Sequence, residues 1–209
     1  FAPAEELRAA LPAAAQQVEY VGVSGTAGKT AAAALIAAVL KAAGLVTGLY
    51  HAGCEPLEKR VRVNGAPVDP VLLCNAAETL SQSKPLPRAA AELAAAAACF
   101  GAAGCKLAVV ELPDAGLAAA LPKMPVCAVT SIGPDGVSRS VERSAALAAG
   151  VMRKGSICVT APEQEKAVLS ELIVAAGKAD CELVVPDPED ITFLEAEKFT
   201  SKVDYGGYT

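Results

Sequence analysis

The stretch from Val18 to about Ala43 constrains this chain more than any other. Val18 to Val23 is a short apolar run rich in β-branched residues, Ser24-Gly25-Thr26-Ala27-Gly28-Lys29-Thr30 follows at once, and an Ala/Leu/Ile-rich stretch continues from there. Runs of the first kind form buried strands, and runs of the last kind form helices. The order is therefore strand, glycine loop, helix. A loop that binds phosphate needs backbone N–H groups facing inward, glycines where a Cβ would clash, and a helix N-terminus behind it. Gly25 and Gly28 meet that need, with Thr26 and Ala27 between them. Lys29 is placed to bridge the β- and γ-phosphates of ATP, and the Thr30 hydroxyl can reach Mg²⁺. The strict pattern G-x-x-x-x-G-K-[ST] fails because Val23 stands five before Gly28, leaving G-x-x-G-K-T. The alternative for the same residues is a glycine-rich turn with a solvated lysine. A second metal ligand should come from a carboxylate at the end of a neighbouring strand, and Glu111, after Leu107-Ala108-Val109-Val110, is the best placed.

The rest of the chain alternates in the same way. Helix formers run from Ala4 to Gln16, with Pro12 ending or kinking them. Leu45 to Tyr50, Lys106 to Leu112, Val126 to Ile132, Ser156 to Thr160 and Cys181 to Val185 read as strands. Arg88 to Ala103, Ser140 to Val151 and Glu163 to Ala176 read as helices. Asn64-Gly65 after Val61-Arg62-Val63 is a strong hairpin signal. Residues 70–88 are the least legible. Strands alternating with helices of this length predict an α/β fold, a three-layer P-loop-type, mostly parallel sheet with helices on both faces. The polar, proline-broken tail from Pro186 reads as a short hairpin or linker.

Composition narrows the function. Of 209 residues 46 are alanine, with four Phe, four Tyr and no Trp, so the core must close on small side chains and few aromatics are free to stack bases. A net charge of −5 disfavours nucleic acid as a partner. Seven cysteines without CxxC spacing read as small buried residues of a reduced, cytoplasmic protein. The single histidine, His51, rules out a His-rich metal site. No run is long and apolar enough to suggest a membrane partner. The start at Phe1 suggests a trimmed or partial chain.

Several segments, in order, carry a resemblance. They are Val21-Gly22-Val23-Ser24-Gly25-Thr26-Ala27-Gly28-Lys29-Thr30, Ala42 to Tyr50, Arg60-Val61-Arg62-Val63-Asn64-Gly65, Leu107 to Glu111, Thr130-Ser131-Ile132-Gly133-Pro134-Asp135, Ala149-Gly150-Val151 and Phe199 to Tyr208. Together they resemble the Mur ligases and, more closely, the folylpolyglutamate synthase family. The resemblance implies a central ATP-binding domain over residues 1–186 and a tail or linker over 187–209, leading to a C-terminal ligase domain absent from this sequence. It implies ADP-forming amide ligation, in which a substrate carboxylate is phosphorylated and an amine displaces phosphate, with folate and glutamate as partners of a full-length protein. Gly25, Thr26, Ala27, Gly28 and Lys29 would cradle the nucleotide, Thr30 and Glu111 would hold Mg²⁺, and Lys29 and Glu111 would carry the catalytic roles. Against this, Ala52-Gly53-Cys54 replaces the family's Ser-Pro-His, and Leu112 to Ala120 keeps neither its Arg nor its Asp-Ala-Thr-Asn. The family's metal-ligand histidine falls on Gly136 and its carbamylated lysine on Ala148, so the second metal site should be missing and this isolated chain inactive as a ligase. The alternatives are a degenerate, non-catalytic nucleotide-binding or interaction relative, and an unrelated P-loop kinase or ATPase.

Overall fold

The computed structural model describes residues 2–134, 138, 140–197 and 200–205. The chain opens with α1 (Ala2–Ala10) and a 3-10 turn at Ala15–Gln17, followed by β1 (Glu19–Ser24), α2 (Lys29–Ala42) and β2 (Thr47–Tyr50). One helical turn, α3 (Leu57–Arg60), leads into β3 (Val61–Val63) and β4 (Ala66–Pro67), then α4 (Pro70–Ser81), α5 (Arg88–Ala102) and β5 (Leu107–Glu111). After a 3-10 stretch (Ala115–Ala120) come β6 (Lys123–Val129), α6 (Val141–Ala148), β7 (Ile157–Thr160), α7 (Lys166–Ala179), β8 (Glu182–Val184) and the strands β9 (Ile191–Glu197) and β10 (Thr200–Tyr205).

The sheet order is β4-β3-β2-β5-β1-β6-β7-β8, with β2 through β8 of that order parallel and the β3/β4 ribbon antiparallel at one edge. Strands β9 and β10 form a separate antiparallel pair. The α/β expectation is thereby met. The chain leaves β1 toward β2 on one side and crosses from β5 to β6 on the other, so the connections diverge around β1. Open α/β sheets bind ligands in the crevice outside the carboxyl ends at such a point.

The two faces are covered unequally. On one, α2 packs Ala33 and Ala37 against Val21, Val23, Leu49 and Val109, and no other helix joins that cluster. The opposite face holds the larger core, with residues from α1, α4, α5, α6 and α7. Alanine explains how so many elements fit there: Ala94 to Phe100 of α5 are all buried, because the helix lies between the sheet, α1 and α4. A Cβ on Gly101 would fall 2.5 Å from the Ala14 carbonyl carbon, so helix and chain touch backbone to backbone. Five of the seven cysteines are buried and all seven are free thiols.

Boundaries moved where capping or proline decided. The first helix stops at Ala10, short of Gln16. Residues 70–81 form α4 because Asp69 Oδ1 accepts the Val71 N–H at 2.9 Å and Pro70 occupies the first turn, where a missing N–H is harmless. Strand β6 starts at Lys123, three residues earlier than expected, and ends at Val129 rather than Ile132. Its register with β1 shifts between Glu19 and Val21, and Pro125, which has no N–H to donate, falls in the shifted stretch. The Asn64-Gly65 hairpin forms as expected, with φ of 49° and 79°. Of the segments singled out in the sequence, Asp135, Gly136, Phe199 and the last four residues lie outside the described residues.

One buried ion pair ties the β2 edge to α5. Arg60, 3% exposed, meets both oxygens of Glu92 at 2.9 and 3.0 Å, and the Tyr50 hydroxyl adds a bond to Glu92 at 3.2 Å. Hydrogen bonding from Arg60 holds the Glu92 carboxyl at about 2, below its ordinary 4.5. Burial pushes the Tyr50 phenol up to about 12. Replacing Arg60 with Met leaves Glu92 only the exposed Arg88 guanidinium at 2.8 Å and the Tyr50 hydroxyl, and should cost about 2 kcal/mol in urea denaturation at pH 7. Because folding depresses the Glu92 pKa, its stabilisation is complete above pH 4.5 and is lost as pH falls toward 2. The unfolding free energy should therefore drop less steeply over that window in Glu92→Gln than in the parent; equal slopes would remove Glu92 from the acid response.

Candidate functional site

The glycine loop is anchored by the end of β6. Gly25 has φ 131°, outside the range of ordinary side chains, and a Cβ there would sit 2.3 Å from Thr130 Oγ1. Thr130 donates its N–H and its hydroxyl to the Ser24 carbonyl at 2.9 and 3.1 Å. One residue on, the N–H groups of Thr26 and Ala27 both donate to the Ser131 carbonyl, at 3.1 and 3.2 Å. The Thr26 hydroxyl donates to the same carbonyl and accepts the Gly133 N–H at 2.8 Å. Gln164 braces this floor from the far side. Its amide donates to the Thr130 carbonyl and the Thr160 hydroxyl, and its oxygen accepts the Ile132 N–H.

This arrangement redistributes the donors that the sequence assigns to phosphate. The amides of Thr26 and Ala27 already have a protein acceptor, whereas the first turn of α2, whose N-cap is Gly28, has no side-chain cap. Its opening N–H groups, with the positive end of the helix dipole, are the free donors toward an anion. Lys29 lies across the loop, its ammonium donating to the carbonyls of Gly25 at 2.9 Å and Thr26 at 3.3 Å.

Glu111 and Thr30, 81 residues apart in sequence, come together at the same end of the sheet. The carboxylate is 4% exposed, and its Oε2 accepts from the Thr30 hydroxyl at 3.0 Å and from the Ala52 N–H at 3.2 Å. A buried carboxylate beside a hydroxyl is an oxygen-donor pair suited to a hard cation such as Mg²⁺. Among the described residues no three His, Cys, Asp or Glu side chains converge as a metal cluster, so an ion here would draw most of its ligands from water or phosphate.

On the opposite face of the sheet the loop borders a cleft of 590 Å³, walled by Asp114 to Gly116 and by α6 from Ser144 to Ala148. Ala148 is 6% exposed in this wall and offers only a methyl group. Asp114 is engaged locally, its Oδ1 accepting the Gly116 N–H at 3.0 Å. The bracing roles of Gln164 and Ser131 were not legible in the sequence, since both act across more than 30 residues without a local motif.

The loop's two glycines should respond differently to substitution. Gly25→Ala combines a forbidden φ with a 2.3 Å collision and should cost about 2–3 kcal/mol. At Gly28, φ is 83° and nothing lies within 4 Å of an added Cβ, so Gly28→Ala should cost about 1 kcal/mol. Thermal denaturation of the two variants decides this, and a Gly28 variant less stable than the Gly25 variant would contradict the packing described.

No family model and no curated protein matches the sequence. Solved structures do match. A folylpolyglutamate synthase from Thermotoga maritima superposes with a TM-score of 0.84 at 18% identity, over 98% of this chain and 50% of that one. The Mycobacterium tuberculosis folylpolyglutamate synthase complexed with ADP gives 0.78 at 22% identity, over 93% and 48%. An FPGS–AMPPCP–folate complex gives 0.78 at 22% identity, over 94% and 52%. The chain spans about half the length of each of these proteins and shares its fold with the folylpolyglutamate synthases over that half.

Proposed function

We propose that this chain is the nucleotide-binding domain of a folylpolyglutamate synthase-like ligase, binding ATP or ADP with Mg²⁺ at Gly25 to Thr30. The observation that carries the reading is the convergence of the Thr30 hydroxyl and the buried Glu111 carboxylate at the uncapped start of α2, directly behind Lys29. The neighbours' nucleotide complexes and the residue-by-residue resemblance of the loop support it. In this reading α2's first amides bind phosphate oxygens, and Lys29 exchanges its two loop carbonyls for them. Thr30 and Glu111 hold Mg²⁺, which when bound neutralises charge on the terminal phosphates. Folate and glutamate are the substrates of the whole ligase, and the cytoplasm is its compartment.

A second reading, a nucleotide-binding relative that does not catalyse, is favoured by two observations. Ala148 supplies no ligand where the resemblance puts a carbamylated lysine, and the amides of Thr26 and Ala27 are engaged by Ser131. Both readings agree that residues 1–209 alone form no amide bond, because the resemblance implies that ligation also needs a C-terminal ligase domain. A P-loop kinase would instead phosphorylate a small acceptor without that domain.

Calorimetric titration with Mg²⁺·ADP should show binding that weakens at least about tenfold in Lys29→Ala, the loss of a charge-assisted hydrogen bond. Equal affinities would exclude the loop as the site. Incubation with folate, glutamate and ATP should give no polyglutamylated product above the enzyme-free control; product formation would overturn the inactive reading. Crystals soaked with Mn²⁺ and an ATP analogue should show one anomalous peak, beside Thr30 and Glu111, and a protein-bound peak at Ala148 would refute the loss of the second metal site.

A further inference from the structure

The only histidine of the chain stands next to the candidate cation site. Strands β2 and β5 pair in parallel as far as Tyr50 opposite Val110, and just beyond that rung the Ala52 N–H donates to Glu111, so His51 lies at the same end of the sheet as this carboxylate. Side chains alternate along a strand. Leu49 and Val109 both face α2, and so does Glu111, two residues on from Val109, whose carboxylate meets the Thr30 hydroxyl. Thr30 lies in the first turn of that helix. The backbone at His51 is fixed on both sides, its N–H donating to the Arg60 carbonyl at 3.0 Å and its carbonyl accepting from the Arg60 guanidinium at 3.2 Å.

Despite that company, the His51 Nδ1 is buried and has no hydrogen-bond partner among the described residues. An orphaned buried nitrogen calls for an explanation such as an ion or water. Nor do the donors to Glu111 answer it: Thr30 and Ala52 both bond Oε2, leaving no described donor on Oε1. Burial pushes the imidazole pKa below its ordinary value, with Arg62 acting in the same direction and Glu111 and Glu55 against it.

We infer that His51 contributes an imidazole nitrogen to the nucleotide-bound cation held by Thr30 and Glu111, making this a mixed nitrogen and oxygen site that prefers Mn²⁺ to Mg²⁺. The inference rests on the nucleotide-binding reading above. Mg²⁺ takes oxygen ligands and keeps its waters, whereas Mn²⁺ accepts imidazole more readily.

The test uses the full chain with Mn²⁺·ADP and electron spin echo envelope modulation. Because there is one histidine, growth on ¹⁵N-histidine labels this site alone. Labelling should replace a ¹⁴N modulation by the ¹⁵N pattern of a directly bound nitrogen, distinct from any adenine signal. In His51→Gln, with a melting temperature compared to the parent, the ratio of Mn²⁺·ADP to Mg²⁺·ADP affinity should fall at least about tenfold. If Mn²⁺·ADP binds but labelling leaves the spectrum unchanged, the ligand assignment is overturned and the nucleotide site stands. If neither Mn²⁺·ADP nor Mg²⁺·ADP binds, both fall.

Discussion

A carboxylate that is 4% exposed must be satisfied where it stands, and Glu111 is the point from which the site is built. Withdrawing it from water costs several kcal/mol unless donors replace the lost hydration. One donor is the hydroxyl at the start of α2 and the other is the backbone just after β2, so a single oxygen ties together the ends of three elements. That requirement fixes where α2 begins relative to the sheet. It also decides that the helix's uncapped amides, which favour an anion, open beside a negative charge, so that a phosphate bound to them would need a cation between it and Glu111.

Small residues allow the remaining elements to approach this point. Gly25 lets β1 and the β6 exit touch at Thr130, and Gly48 leaves room for the Phe100 ring, which would lie 2.6 Å from an added Cβ. The loop is consequently held from two directions, by Ser131 through its own amides and by Gln164 through the segment behind it. A phosphate can meet the α2 amides without disturbing these bonds. Recruiting the Thr26 and Ala27 amides as well would break two bonds to Ser131, so full enclosure of a phosphate entails a local rearrangement that the helix terminus alone does not.

How far the sequence revealed this depends on the range of each interaction. The strand-loop-helix unit, the Asn64-Gly65 hairpin and the strand ending at Glu111 were legible because β-branched runs, glycines and an alternating pattern act over a few neighbours. Helix α4 was missed although Asp69-Pro70 is a short-range start signal, since polar residues around Asn75 and Ser81 to Ser83 hid its apolar face. The early start of β6 was missed because Pro125 demotes a strand from within. The roles of Ser131 and Gln164 and the isolated Nδ1 of His51 were not legible, for each follows from register between strands distant in sequence.

The two faces of the sheet give the loop two unlike neighbours. Toward α2 lie the Glu111 carboxylate and the Thr30 hydroxyl that donates to it. Toward the larger core lies the cleft walled by Asp114 to Gly116 and by α6, where Ala148 presents only a methyl group. Substitutions at Ala148 therefore alter what meets the loop from the cleft without removing any contact to Glu111. The Glu111–Thr30 pair and the cleft thus rest on different elements, and the cleft lining can change in the sequence while the pair keeps its geometry.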